Sequence, residues 1–137
     1  MSPGRMPVND KDSPEGTVLV RGRVAFPPGD RPDPPYTVVV HVEDVSRADA
    51  PSTIVGESFL ENPALSAGPA PELDFAVPVP AALLTDTARL NVRVHVHPAR
   101  ARERRRAAAP EVGDLITTRS YPVGRGSGLI RVVLRRV

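Results

Sequence analysis

Residues 88–97 alternate without a break. Leu90, Val92, Val94 and Val96 occupy one phase, and Arg89, Asn91, Arg93, His95 and His97 occupy the other. A period of two puts all the apolar side chains on one face of an extended chain, which a helix of the same sequence cannot do. This run is therefore a strand with one buried face. The same pattern recurs along the chain, and proline or glycine interrupts it each time.

Thr17 to Phe26 is the first such run. Val18, Val20, Val24 and Phe26 share a face, and Gly22 breaks into the apolar row. A glycine there predicts a bulge or the close approach of another backbone. Tyr36 to Val45 is the second, with Tyr36, Val38, Val40 and Val42 inward and Thr37, His41 and Glu43 outward. Val39 and Val45 join the outer row, which predicts a partly covered outer face. Thr53 to Leu60 is a third strand of weaker pattern. Leu73, Phe75, Val77 and Val79 mark a fourth, in which Pro78 predicts an edge or a strand end. Residues 80–86 fit one helical turn with Pro80 near its start. Leu115 to Tyr121 and Leu129 to Val137 follow as sixth and seventh strands, joined by a flexible turn over 122–128.

Seven strands spaced by turn signals, with no long helical period, predict an all-β fold. Its form is a single antiparallel β-sandwich of about seven strands over residues 17–137. Residues 1–16 carry Pro3, Pro7 and Pro14 among charged residues and read as a disordered leader. The core has to be aliphatic, because 4% of the 137 residues are aromatic and Trp is absent. No cysteine is present. That excludes disulfides, thiolate metal sites, a cysteine nucleophile and a lipid-bearing N-terminal cysteine. No stretch approaches the ~18 apolar residues of a membrane span, and residues 1–16 lack the apolar core of a secretion signal. As written, the chain reads as cytoplasmic. It would be periplasmic or outer-membrane-associated if an N-terminal signal has been removed.

Between the second and third strands lies the most distinctive stretch, Val42-Glu43-Asp44-Val45-Ser46-Arg47-Ala48-Asp49-Ala50-Pro51. Ser46 can accept a backbone N–H from two or three residues on. Asp49 follows it at capping-box spacing, and Arg47 lies within reach of Asp44 or Asp49. Pro51 belongs at the start of a strand or on an edge. The stretch reads as a rigid, self-capped corner. The alternatives are a partner-facing loop or a cation site on Asp44 and Asp49, although two carboxylates and a hydroxyl fall short of the six or more oxygens calcium takes.

This corner and the strand before it resemble the YbaY/YscW-type lipoprotein domain, the group that includes type III secretion pilotins. Gly22-Arg23-Val24-Ala25-Phe26-Pro27-Pro28 is similar to that family's opening strand and proline turn. Leu73-Asp74-Phe75-Ala76-Val77-Pro78 is similar to its mid-chain strand, and Tyr121-Pro122-Val123 with Val132-Val133-Leu134 to its end. The resemblance spans about residues 17–137. It implies a compact β-sandwich and, for the pilotin members, assistance to an outer-membrane secretin ring. For many other members it implies no known activity. It brings no catalytic residues. The chain departs from the family in lacking a signal segment and a lipid-bearing cysteine. It also has an arginine-rich loop at 98–113 where a shorter hairpin is expected.

Two constellations stand apart from that resemblance. His95 and His97 are two apart on a strand and project from one face, a geometry that can hold zinc or copper. If the second and fifth strands are neighbours, His41 supplies a third nitrogen and Glu43 a fourth ligand. The other reading is a solvated polar face with no cofactor. Arg100, Arg102, Arg104, Arg105 and Arg106 form the second group. They sit in a C-terminal part, residues 89–137, that holds twelve basic and three acidic side chains, whereas residues 1–88 hold six and thirteen. The arginines suit a protein partner, nucleic acid or another acidic polymer. No aromatics interleave to stack bases, so a solvated loop is the plainer reading. The proline-rich 27–35 connection reads as a stiff loop or a docking surface.

No nucleophile elbow and no cysteine–histidine arrangement is present. Gly124-Arg125-Gly126-Ser127-Gly128 lacks the following helix of a phosphate loop. The sequence therefore points away from an enzyme, toward a soluble interaction domain that meets a protein through strand edges or loops. A metal-binding domain and an acidic-polymer binder are the alternatives.

Overall fold

The period-two runs become strands in the computed structural model, which describes residues 16–47, 49–98, 114–124 and 126–137. The strands are β1 (Thr17–Ala25), β2 (Tyr36–Asp44), β3 (Thr53–Glu61), β4 (Glu72–Pro80), β5 (Leu90–Pro98), β6 (Leu115–Thr117), β7 (Pro122–Val123) and β8 (Ile130–Arg136). One 3₁₀ turn, Ala81–Leu83, follows β4 where a helical turn is expected. Among the described residues no other helix occurs, so the fold is all-β. Of the expected leader, residues 1–15 lie outside the described residues. Gly16 belongs to the fold, since its carbonyl accepts the Ala81 N–H at 2.8 Å.

The strands follow the order β3-β2-β5-β6-β8-β1-β4, with β7 paired to β5. Six of the seven pairings among the described residues are antiparallel, and β1 with β8 is parallel. The seven-strand antiparallel expectation thus becomes a mixed sheet of eight strands. The added strand, β7, lies in the 122–128 stretch read as a turn. Pro122 and Val123 pair with Asn91 and Leu90, and the Tyr121 N–H donates to Asn91 Oδ1 at 2.6 Å. Val123 is buried there, whereas Gly126 and Gly128 keep the positive φ of a turn.

β8 holds the two halves of the fold together. Gly22 to Ala25 pair with Ile130 to Val133, and Leu134 to Arg136 then pair with Thr117 to Leu115. The change of partner has a local cause. After Ala25 and Phe26 come Pro27 and Pro28, which have no N–H to continue the ladder beside β1. Gly22 is the close approach its place in the apolar row predicts. A Cβ there would lie 2.6 Å from the Ile130 carbonyl oxygen.

A second seam lies between β3 and β4, the two ends of the strand order. Gly56 faces β4 so closely that a Cβ would stand 2.8 Å from the Pro78 carbonyl, and Ser58 Oγ donates to the Ala76 carbonyl at 3.0 Å. Pro78 and Pro80 cannot donate, which leaves these strands packed rather than paired. Pro78 is thus on a terminal strand, as its residue type requires. The sheet comes nearly full circle, close to a barrel. Inside lie Val24, Val38, Val40, Val42, Val77, Val79, Val92, Val94 and Val132, each fully buried. They descend from β1, β2, β4, β5 and β8, so every long alternating run contributes to one core.

Candidate functional site

The outer face of β3, β2 and β5 gathers the polar residues that the sequence singles out. β2 and β5 are neighbours, as a three-histidine site requires. Their register sets Thr37 beside His97, Val39 beside His95, His41 beside Arg93 and Glu43 beside Asn91. On the other flank β3 brings Glu61 to Thr37, Phe59 to Val39 and Glu57 to His41. Long side chains from both neighbours flank the central strand, so Thr37, Val39, His41 and Glu43 are buried although they face away from the core. The partly covered outer face expected from Val39 is present.

The histidines divide among different partners. His41 Nε2 lies 2.8 Å from Glu57 Oε2, and His95 Nε2 lies 2.8 Å from Asp114 Oδ2. The His95 and His97 rings meet edge to face, 4.8 Å between centroids. Glu43, the expected fourth ligand, accepts from Ser52 Oγ at 3.2 Å and meets Arg93 Nε at 3.4 Å. Among the described residues no group of three His, Cys, Asp or Glu side chains is placed to hold a metal ion. Glu57 and Asp114 are the residues that sequence reasoning misses. Glu57 sits on the weakly patterned third strand, and Asp114 follows the arginine-rich stretch, so neither register is legible in advance.

Thr37 carries a cost on this face. Its Oγ1 is fully buried and has no hydrogen-bond partner among the described residues. A buried hydroxyl left unpaired costs roughly 1–3 kcal/mol. Thr37→Val keeps the shape and removes the hydroxyl, and is expected to raise stability by about 1 kcal/mol in urea unfolding.

The corner after β2 is tied differently from the capping box its sequence suggests. Asp44 Oδ1 accepts the Ser46 N–H at 2.8 Å, and Ser46 Oγ accepts the Arg89 N–H at 2.9 Å, 43 residues away. The Val45 N–H donates to the Arg89 carbonyl at 2.8 Å, and the Ala50 N–H to the Arg47 carbonyl at 3.3 Å. Arg47 and Asp49 make no ion pair among the described residues, so the box and the Arg47 bridge give way to a clamp on the entry to β5. Pro51 directly precedes Ser52 and β3, where a proline fits.

Hydrogen bonds from the Ser46 hydroxyl and then its backbone N–H hold the Asp44 carboxyl below the usual carboxylate range. A depressed folded-state pKa gives stability that is present above the unfolded value, near ~3.9, and is lost as pH falls through the folded one. Asp44→Asn removes that component. Between pH 6 and pH 3 the wild-type urea midpoint is expected to fall further than that of the variant.

The 27–35 connection is pinned to the loop that follows β3. An Arg31 guanidinium N–H donates to the Ser66 carbonyl at 2.7 Å and the Gly68 carbonyl at 3.1 Å, and the Gly29 N–H to the Pro69 carbonyl at 2.7 Å. Asp30 pairs with Arg136 at the end of β8. These bonds fix the path of the connection across the surface. Arg100, Arg102, Arg104, Arg105 and Arg106 lie outside the described residues.

No protein-family model matches this chain, and no curated protein matches it. Among solved structures the chain is similar to an alternative pilotin from the type II secretion system of Vibrio cholerae. The match covers 88% of this chain and 97% of that one, at 20% identity and a TM-score of 0.65. The fold is pilotin-like. At this identity the likeness speaks to architecture alone. No described helix is long and apolar enough to cross a membrane.

Proposed function

We propose that this chain is a non-enzymatic domain that works by contact with another protein, and that it belongs with the YbaY/YscW-type domains. The observation that carries this reading is the nearly end-to-end fold likeness to a protein described as a secretion-system pilotin. The polar side chains of the candidate face support it as well. His41 is held by Glu57 on β3, His95 by Asp114 just before β6, and Glu43 by Ser52 just before β3. Among the described residues they pack the outer faces of β2 and β5 with partners of their own rather than converge on a shared point.

Reciprocal capture tests the reading. The tagged chain is crosslinked in its own cells, the recovered protein is tagged in turn, and complex formation is measured with both purified. One partner recovered in both directions at fixed stoichiometry supports the proposal. A chain that binds nothing in either direction, or that turns over a substrate, contradicts it.

A further inference from the structure

Where β8 changes partner, its flank opens into a groove of about 440 Å³, in the ~300–1,000 Å³ range of small-ligand sites. Pro27, Pro28, Tyr121 and Val133 give it apolar surface, and Arg119 and Arg135 line it. The parallel ladder ends at Ala25 and Val133, and Pro27 and Pro28 then stand beside β8 without donors. Tyr121 satisfies the strand at that point. Its hydroxyl accepts the Val133 N–H at 2.9 Å and donates to the Val133 carbonyl at 3.4 Å. An occupant therefore meets a floor whose backbone at Val133 is already bonded, and it has to be held through side chains and charge.

The charge in the groove is unbalanced. Arg23, Arg93, Arg131 and Arg136 each have a carboxylate partner. The Arg119 and Arg135 guanidiniums belong to exposed residues and make no ion pair or hydrogen bond among the described residues. Among the described lining residues Asp30 is the one carboxylate, and Arg136 holds it. Two free guanidiniums beside proline and tyrosine surface suit carboxylates on a chain that also has apolar residues, because arginine binds carboxylates as a fork. A phosphate backbone would use the arginines and leave the apolar floor idle, and one tyrosine is a poor stacking platform for bases.

We propose that this groove binds an acidic peptide segment of a partner protein, with its carboxylates on Arg119 and Arg135 and an apolar residue against Pro27, Pro28 and Tyr121. The proposal rests on the reading of the chain as a protein-interaction domain, and it adds the place and the chemistry of the partner.

The test uses the ¹⁵N-labelled full chain and three probes: an acetylated pentapeptide of alternating glutamate and valine, its glutamine counterpart, and a deoxythymidine oligonucleotide. The glutamate peptide is expected to move the amide signals of Arg119, Val133 and Arg135 saturably. The glutamine peptide is expected to bind at least tenfold more weakly, as is the glutamate peptide to an Arg119→Gln/Arg135→Gln variant of unchanged melting temperature. Absent shifts, shifts confined to other surfaces, equal binding by the variant or the glutamine peptide, or tighter binding by the oligonucleotide would overturn the proposal. If the partner found by reciprocal capture binds wild type and variant alike, the groove assignment fails and the interaction reading stands. If no partner is found in either direction, the reading beneath it fails.

Discussion

Gly22→Val is expected to destabilise the chain by about 3 kcal/mol, the upper end of the usual ~1–3 kcal/mol for overpacking. A Cβ at Gly22 would stand 2.6 Å from the Ile130 carbonyl oxygen, 2.6 Å from Phe75 Cζ and 2.8 Å from Ile130 Cγ1. Flexible side-chain ends can swing aside from such a contact, but a backbone carbonyl in a strand cannot. Phe75 is buried on β4 and has little room to give. The added methyl groups of valine would push β8 away from β1 at the start of their parallel ladder. Urea unfolding with unchanged m-value measures the effect. Gly124→Ala, where a Cβ meets nothing within 4 Å, is the control and is expected to change stability by less than ~0.5 kcal/mol.

Leu134→Ala is expected to cost about 3–4 kcal/mol, within the ~2–5 kcal/mol range for buried leucines. Leu134 is 1% exposed and is the first residue of β8 paired with β6. Truncation leaves a void against a core of branched valines, whose stiff side chains do not move in to fill it. Val133→Ala, one residue earlier and 38% exposed, is expected to cost less than ~1 kcal/mol by the same unfolding measurement. A large gap between these neighbours would show that β8 keeps its alternation through the change of partner.

The legible parts of the fold are those decided by local pattern. Leu90 to Val96 alternate because one face is buried, and Pro78 marks a terminal strand because it cannot donate. Gly22 marks a crowded backbone because nothing larger fits. The parallel pairing of β1 with β8 is a matter of distant contacts, and no period in either strand encodes it. The pattern of β3 is weak in the sequence for a physical reason. The register shifts between Val42 and Glu43 so that Val55 is an extra residue, and the phase of the strand changes there. Its inward row, Gly56 and Ser58, is small where β4 comes close.

The candidate surface was half legible. Alternation placed His41, His95 and His97 correctly on one outer face, since side-chain direction follows the period. Their carboxylate partners depend on register with β3 and on the backbone just before β6, which one strand cannot reveal. The corner was recognisable as a corner from Asp44 and Ser46. Its anchor on Arg89 spans 43 residues and was not. The groove left no signal, because it exists only where β8 passes from one partner to another.

The near-closed fold and the groove both depend on that passage. Through-space NMR contacts between backbone protons in the monomeric chain test it directly. Contacts are expected from Arg131 and Val132 to Arg23 and Val24 in parallel register, and from Leu134 and Arg135 to Thr117 and Ile116 in antiparallel register. A β8 that stays with β1 alone, or with β6 alone, over its whole length would contradict it.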